Sequence, residues 1–342
     1  MTADSLPALS LDALSAALNS RTRALAARRW LFTSRPVPAA LPERIAGVAR
    51  EPWTALRETA GMPEWRVTER LASPDGTVKY ALDVGGAAIE TVLIPADGRS
   101  TVCVSSQSGC TRSCGFCATA TLGFRRPLTA AEIVVQFLVA QAEAPATAPL
   151  RNVVFMGMGE PMDNLDAVMA AVDRLLEPPL PRLAAGHVTV STSGVLPGMK
   201  RFLREGRGHL ALSLNATTDA AREALMPHNR QWPIGDLLNA LREDQERGSG
   251  RRYFIEYVLW DGVNDTDDDA RRLVALLQDL DAHVNLIPQN PFAGNALRPP
   301  SPERIARFQS LVREGGVLCL VRTPRGQEIA AACGQLARKA AP

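Results

Sequence analysis

The chain is poor in lysine, histidine and aromatic residues. Only Lys79, Lys200 and Lys339 are lysines, so its basic charge is almost all arginine. Arginine suits phosphate contact and base stacking, although a GC-rich codon bias, with which the high alanine content agrees, explains the same composition. The four histidines, His187, His209, His228 and His283, are scattered. No HxxxH or similar ligand pair occurs, so they read as structural or solvent-facing. No run of about 18 apolar residues exists, which excludes a spanning helix and a membrane partner. Met1-Thr-Ala-Asp-Ser lacks a basic start followed by an apolar stretch, so no secretory leader is expected and the chain is placed in the cytoplasm. Fixed-period repeats and low-complexity tracts are absent too, and Glu143–Pro149 is merely a small-residue loop.

What is present is a composition for packing. Of 342 residues, 46% are hydrophobic and 22% charged, with a formal net charge of +2. This leaves room for one α/β domain of roughly 230 residues and a smaller module. Residues 1–60 read as helical: Leu9–Leu18 and Thr22–Leu31 carry apolar residues at helical spacing, and Pro36, Pro38 and Pro42 punctuate the stretch after Leu31. Val78–Val84, Ile89–Ile94 and Thr101–Ser105 then read as short strands separated by glycine turns. Beyond them, strand-like runs at Val153–Met156, His187–Ser191, His209–Leu214, Tyr253–Leu259, Val284–Ile287 and Val317–Val321 alternate with amphipathic ones. The latter are Ala130–Ala142, Leu165–Leu176, Pro233–Arg247, Asp267–Leu280 and Pro302–Arg313. About six such βα units predict an α/β fold with a parallel sheet, closed into a partial or full barrel.

The sharpest chemical signal is Cys110-Thr-Arg-Ser-Cys114-Gly-Phe-Cys117. In a reducing compartment, cysteines spaced this tightly point to metal work before disulfides. A zinc ribbon would need a second CxxC pair, and none exists. Three thiolates on a four-iron cube leave one iron without a protein ligand, the open position that catalysis needs. In radical chemistry that iron holds the amino and carboxylate groups of S-adenosylmethionine. Phe116 could lie against the cofactor's adenine. Gly157-Met-Gly159-Glu160-Pro161 comes after a strand, where glycines let backbone approach a ligand and a carboxylate can hold an ammonium. Cys319, alternating with Leu318 and Leu320, reads as a buried free thiol.

CxxxCxxC is the hallmark of the radical S-adenosylmethionine superfamily. Further motifs narrow the likeness: Cys103-Val-Ser-Ser-Gln-Ser-Gly-Cys110, Phe155-Met-Gly-Met-Gly-Glu-Pro161, Val190-Ser-Thr-Ser-Gly194, Asn285-Leu-Ile-Pro-Gln-Asn-Pro-Phe292 and Ala331-Ala-Cys-Gly-Gln-Leu336. With these, the chain resembles the dual-specificity ribosomal and transfer RNA adenine-C2 methyltransferases and, beside them, the chloramphenicol–florfenicol resistance enzymes that methylate C8. The likeness covers about seven-tenths of the chain, from Glu90 to Leu336.

The resemblance implies a radical S-adenosylmethionine partial (β/α)6 barrel at residues 101–321. It implies a helical RNA-binding module at 1–62, a β extension at 63–100 and a mobile C-terminal segment at 322–342. It implies one [4Fe-4S] cluster on Cys110, Cys114 and Cys117, and two S-adenosylmethionine molecules per turnover held by Gly159, Glu160, Ser191, Ser213, Leu214, Asn215 and Asn290. Asn215 stands where the family commonly has histidine, and Gln327-Glu328 where it has an acidic pair. The implied chemistry runs through two further cysteines. Cys333 takes a methyl group from one cofactor. A 5′-deoxyadenosyl radical from a second abstracts hydrogen from that methyl, and the carbon radical adds to adenine, linking protein and RNA. Cys103 helps remove the C2 proton and closes a disulfide with Cys333, and Glu90 is the implied proton acceptor. Implied partners are 23S ribosomal RNA, with transfer RNA as a further substrate, and an electron donor such as flavodoxin; DNA is not expected. Arg21, Arg23, Arg28, Arg29 and Trp30, with Arg125 and Arg126 beside the cysteine loop, are candidate RNA contacts, a solvated helix face being the alternative for the first group. C8 methylation is the alternative reading, and a silent RNA-binding module with a structural cluster is a third.

Overall fold

A computed structural model describes residues 5–179, 183–291 and 296–337. Phe292, Lys339, the first four residues and positions 338–342 lie outside the described residues. Four strands open the sheet as an antiparallel meander: β1 (Trp65–Ala72), β2 (Val78–Val84), β3 (Ala87–Ala96) and β4 (Arg99–Cys103). A small antiparallel ladder of β5 (Gln107–Gly109) and β6 (Phe124–Pro127) brackets the cysteine loop. From β4 onward every pairing in the main sheet is parallel, through β7 (Leu150–Phe155), β8 (Val188–Thr192), β9 (His209–Ser213), β10 (Tyr253–Leu259), β11 (Ala282–Pro288) and β12 (Cys319–Val321). The order β1-β2-β3-β4-β7-β8-β9-β10-β11-β12 makes one ten-stranded sheet. The β extension is therefore continuous with the barrel wall, and the six parallel crossovers match the expected partial barrel.

Helices α4 (Ala130–Glu143), α5 (Leu165–Leu176), α6 (Leu196–Glu205), α7 (Asp219–Leu225), α8 (Ile234–Glu246), α9 (Asp267–Leu277) and α10 (Pro302–Glu314) make the crossovers. Their starts are written in the sequence. Thr129 with Glu132 and Thr266 with Asp269 form reciprocal capping boxes, each satisfying two otherwise orphaned amides. Helix α4 is buried on nearly every side, from Ala131 to Ala140. The barrel covers one face, and the N-terminal helices α1 (Leu11–Ala17), α2 (Arg21–Thr33) and α3 (Arg50–Thr59) contribute to the same apolar core, with Phe32 edge-on to Phe137 at 6.1 Å. Arg28 is buried at 2% exposure and pairs with Glu177 at 3.2 Å. This expected RNA contact instead docks α2 on the barrel, because its partners lie inward. Among the described residues no helix is long and apolar enough to cross a membrane.

Candidate active site

The C-terminal ends of the parallel strands surround an open cleft. Cys110, Cys114 and Cys117 line it on one side. Their loop is tied down by backbone bonds: Cys110 N–H to Gly123 O at 3.2 Å, Gly115 N–H to Leu225 O at 3.0 Å, and Ala118 N–H to Gly334 O at 2.8 Å. Arg112 reaches out of the loop to Asp163 and lies 5.4 Å from the Trp232 ring centroid. Burial pushes the Cys110 thiol up to about 12 and raises Cys114 as well. Metal binding at these thiols must therefore displace protons.

Gly157 and Gly159 line the cleft, and their missing side chains also serve packing. A Cβ on Gly157 would stand 2.7 Å from Ser105 Oγ, and one on Gly159, at φ +101°, would stand 2.6 Å from Gln107 Cβ. These glycines let the turn after β7 press against residues 104–107. That closeness fixes Glu160, which is buried at 3% exposure on the cleft wall. Its Oε1 accepts the Met162 N–H at 3.0 Å, and its Oε2 accepts the Ser193 N–H at 2.8 Å and hydroxyl at 2.7 Å. Burial raises its carboxyl, opposed by the Ser193 and Met162 donors.

Ser191, Ser213, Asn215 and Asn290 also line the cleft, with Phe116 packed 4.9 Å from Trp260 between ring centroids. Asn215 has φ 61°, in the left-handed region that asparagine tolerates. Its side chain accepts the Val258 N–H at 2.9 Å, so its shape belongs to the wall. Leu214 is fully buried and does not line the cleft; its carbonyl accepts Arg222 Nε at 2.9 Å. Asn290 gives its amide to the Cys333 carbonyl at 3.2 Å and accepts Gln327 Nε2 at 2.9 Å.

A second cavity lies within the barrel, lined by Cys103, His187, His209, Phe254 and Arg322 among others. Met156, Glu256, Ile287, Asn290 and Cys333 border both spaces. Cys333 is exposed, facing the cysteine-loop cleft on one side and the cavity of Cys103 on the other. Although the residue is exposed, its thiol faces inward between the cavity walls, and this desolvation, then Glu256, raises it with Arg322 opposing; Cys103 is raised by burial and then by Cys333. All six cysteines, including buried Cys319, are free thiols in this structure. Glu90 lines neither cavity; it is buried at 4% exposure and paired with Lys79.

Ser193, Arg222 and Glu256 stand out only in the structure. Arg222, fully buried, donates to the carbonyls of Ser193, Ser213 and Leu214, joining the ends of β8 and β9. Glu256 accepts Asn285 Nδ2 at 2.8 Å between the two cavities. Near the loop, Phe124 and Arg125 are exposed, whereas Arg126 is held by Glu132 at 2.8 Å and by the Val84 carbonyl. Arg125 alone of that pair remains open to a partner.

Residues 104–274 match the model of the radical SAM superfamily, and fold and site define a radical SAM methyltransferase. A crystal structure of a radical SAM methyltransferase from Sphaerobacter thermophilus matches with a TM-score of 0.90 at 39% identity, covering 97% of this chain and 99% of that one. The dual-specificity RNA methyltransferase RlmN of Anaeromyxobacter sp. is 42% identical over 346 residues, 99% of this chain and 91% of its own length. That of Geobacter sulfurreducens is 42% identical over 336 residues, covering 97% and 91%. The chain belongs to the family of the dual-specificity RNA methyltransferases RlmN.

Membership implies a [4Fe-4S] cluster and S-adenosylmethionine. The donor set fits. Three thiols, on Cys110, Cys114 and Cys117, line one cleft beside the buried carboxylate of Glu160.

Proposed function

We propose that the chain methylates C2 of an adenine in RNA, with 23S ribosomal RNA as substrate and transfer RNA as a further one. The observation that carries this reading is the position of Cys333, on the border of the cleft with the cysteine loop and the cavity with Cys103. Adenine C2 is electron-poor and no nucleophile, so a polar methyl transfer to it fails. When bound, the cluster and two S-adenosylmethionine molecules per turnover supply one electron, a methyl group and a hydrogen-abstracting radical. Cys110, Cys114 and Cys117 hold the cluster. Glu160 takes the ammonium of the methionine moiety, and Ser191, Ser213, Asn215 and Asn290 shape the remaining wall. Cys333, as thiolate, accepts the methyl group on sulfur and carries it to the base, joining chain and RNA after the methyl loses hydrogen. Cys103 assists loss of the C2 proton; its sulfur would then bond to that of Cys333 as the Cys333 S–C bond breaks, returning the one electron supplied at the start, and the freed methylene would take up a proton to become the methyl group. Phe124 and Arg125, exposed beside the loop, suit contact with an unstacked nucleotide and its phosphate. The names borne by the relatives favour this reading over C8 methylation.

The test is anaerobic. The reconstituted enzyme receives S-adenosylmethionine, a reductant or reduced flavodoxin, and unmodified ribosomal RNA fragment. Wild type should yield 2-methyladenosine, Cys333→Ala none, and Cys103→Ala a trapped protein–RNA adduct. 8-Methyladenosine would overturn the C2 assignment, and product from Cys333→Ala would overturn the role of that thiol.

A further inference from the structure

Lys79 belongs to none of the sequence motifs, yet it is buried at 8% exposure. In the β2–β3 register Ala81 faces Glu90, so Lys79, two residues before Ala81 on the same face, meets Glu90 diagonally. The ammonium lies 3.0 Å from Glu90 Oε1, with side-chain exposures of 9% and 5%. Each charge then makes a second contact, and both go to the C-terminal segment. Lys79 Nζ donates to the Ala330 carbonyl at 3.1 Å, and Glu90 Oε2 accepts the Ala337 N–H at 2.9 Å. These two residues stand on either side of Cys333.

We infer that Lys79 is a positioning residue. With Glu90 it forms a buried clamp on both shoulders of the Cys333 loop, fixing the thiol at the junction of the two cavities. Ala330 has φ 50°, a left-handed conformation unfavourable for alanine, and the bond from Lys79 holds its carbonyl in that turn. A pair serving only the β2–β3 ladder would satisfy its second contacts within the sheet. Here both oxygens of Glu90 are engaged, one by the cation and one by the loop. Because the position of Cys333 matters only to a methyl-accepting thiol, the inference rests on the function proposed above.

The test uses cluster-loaded enzyme and the variants Lys79→Met and Lys79→Arg. Amide hydrogen exchange is measured in peptides covering residues 326–337 and 78–96. In Lys79→Met, exchange across 331–337 should rise about tenfold or more, as expected when a locally closed segment opens. Peptides 78–96 should keep their wild-type rates, and RNA methylation should fall at least about tenfold by misplacement of the acceptor. Reductive formation of 5′-deoxyadenosine without RNA should stay within about twofold, and Lys79→Arg, which keeps the cation, should restore most of the protection. Wild-type exchange in Lys79→Met would overturn the inference. So would loss of protection throughout 78–96, which would make the pair a sheet element, or a parallel loss of 5′-deoxyadenosine, which would place its action on the cofactor site. If wild type itself methylated no RNA, the proposed function would fail while exchange still decided the clamp.

Discussion

Replacing Glu160 by glutamine removes one negative charge and little volume. The carboxylate accepts three hydrogen bonds, from the Met162 amide, the Ser193 amide and the Ser193 hydroxyl. Glutamine has a single acceptor oxygen, so its amino group must face one of two fixed N–H donors. The lost acceptor costs about 1–3 kcal/mol within the protein, and a hydrogen bond to a charged partner is worth about 1.5–3 kcal/mol. The second figure converts to an affinity for S-adenosylmethionine lower by about 10–100-fold. Equilibrium binding to anaerobically reconstituted protein measures this, with iron content and a thermal melt run in parallel. The pH dependence adds an internal check. Burial raises the Glu160 carboxyl above the ordinary value of 4.5, so protonation on acidification should weaken binding at a higher pH than for an ordinary glutamate. That component should vanish in Glu160→Gln. Affinity within about threefold of wild type, with iron retained, would refute the assignment of this carboxylate to the cofactor's ammonium.

The contacts lead to three further outcomes. Burial opposes ionisation of Asp75, but bonds from Thr77, Gly326 and Ser73 prevail and bring its pKa from 3.8 to about 2. Its contribution to stability is therefore complete above the unfolded value and lost as pH falls through the folded one. Asp75→Ala should lower the urea midpoint at neutral pH and flatten the acid limb between about pH 4 and 2. Gly159→Ala should cost about 2–4 kcal/mol, because its Cβ would stand 2.6 Å from Gln107 Cβ; urea unfolding and iron content after reconstitution read it. Arg28→Met should cost about 1–3 kcal/mol, toward the low end because Glu177 keeps Arg174 at 2.6 Å. Affinity for RNA, measured by filter binding below the unfolding transition, should be unchanged.

Much of the scaffold is legible in the sequence because its strands are buried runs and its helices amphipathic. The wall from β7 to β12 lies near its expected positions, and the capping residues mark helix starts. β1 gives no such sign because five of its eight residues are exposed and an irregularity between Val67 and Glu69 breaks the alternation. α6 is masked because Pro197 and Gly198 resemble a turn. The glycine instead sits where a Cβ would stand 2.7 Å from Met162 Cβ, a packing requirement invisible along the chain. In the site, spacing alone marks the three thiols. Ser193 and Arg222 stay hidden because their work is done by hydrogen bonds to groups distant in sequence. Charge alone directs Arg28 and Arg126 outward, yet partners such as Glu177 and the Val84 carbonyl hold them against the protein.

The sheet ends at β12, a strand of three residues whose only described neighbour is β11. Among the described residues no ladder joins β12 back to β4. The last stretch of barrel wall is therefore made by chain beyond Arg322, secured through isolated bonds such as Arg325 to the Pro95 carbonyl at 2.7 Å and Ser73 to Glu328 at 2.6 Å. A ladder opens cooperatively, whereas separate bonds yield one by one. The thiol-bearing stretch can thus form its own small unit of opening, with a free energy set by a handful of contacts and below that of unfolding the domain. Under the role proposed for Cys333, such an incomplete cylinder lets the thiol-bearing stretch swing out and return while the rest of the wall remains folded.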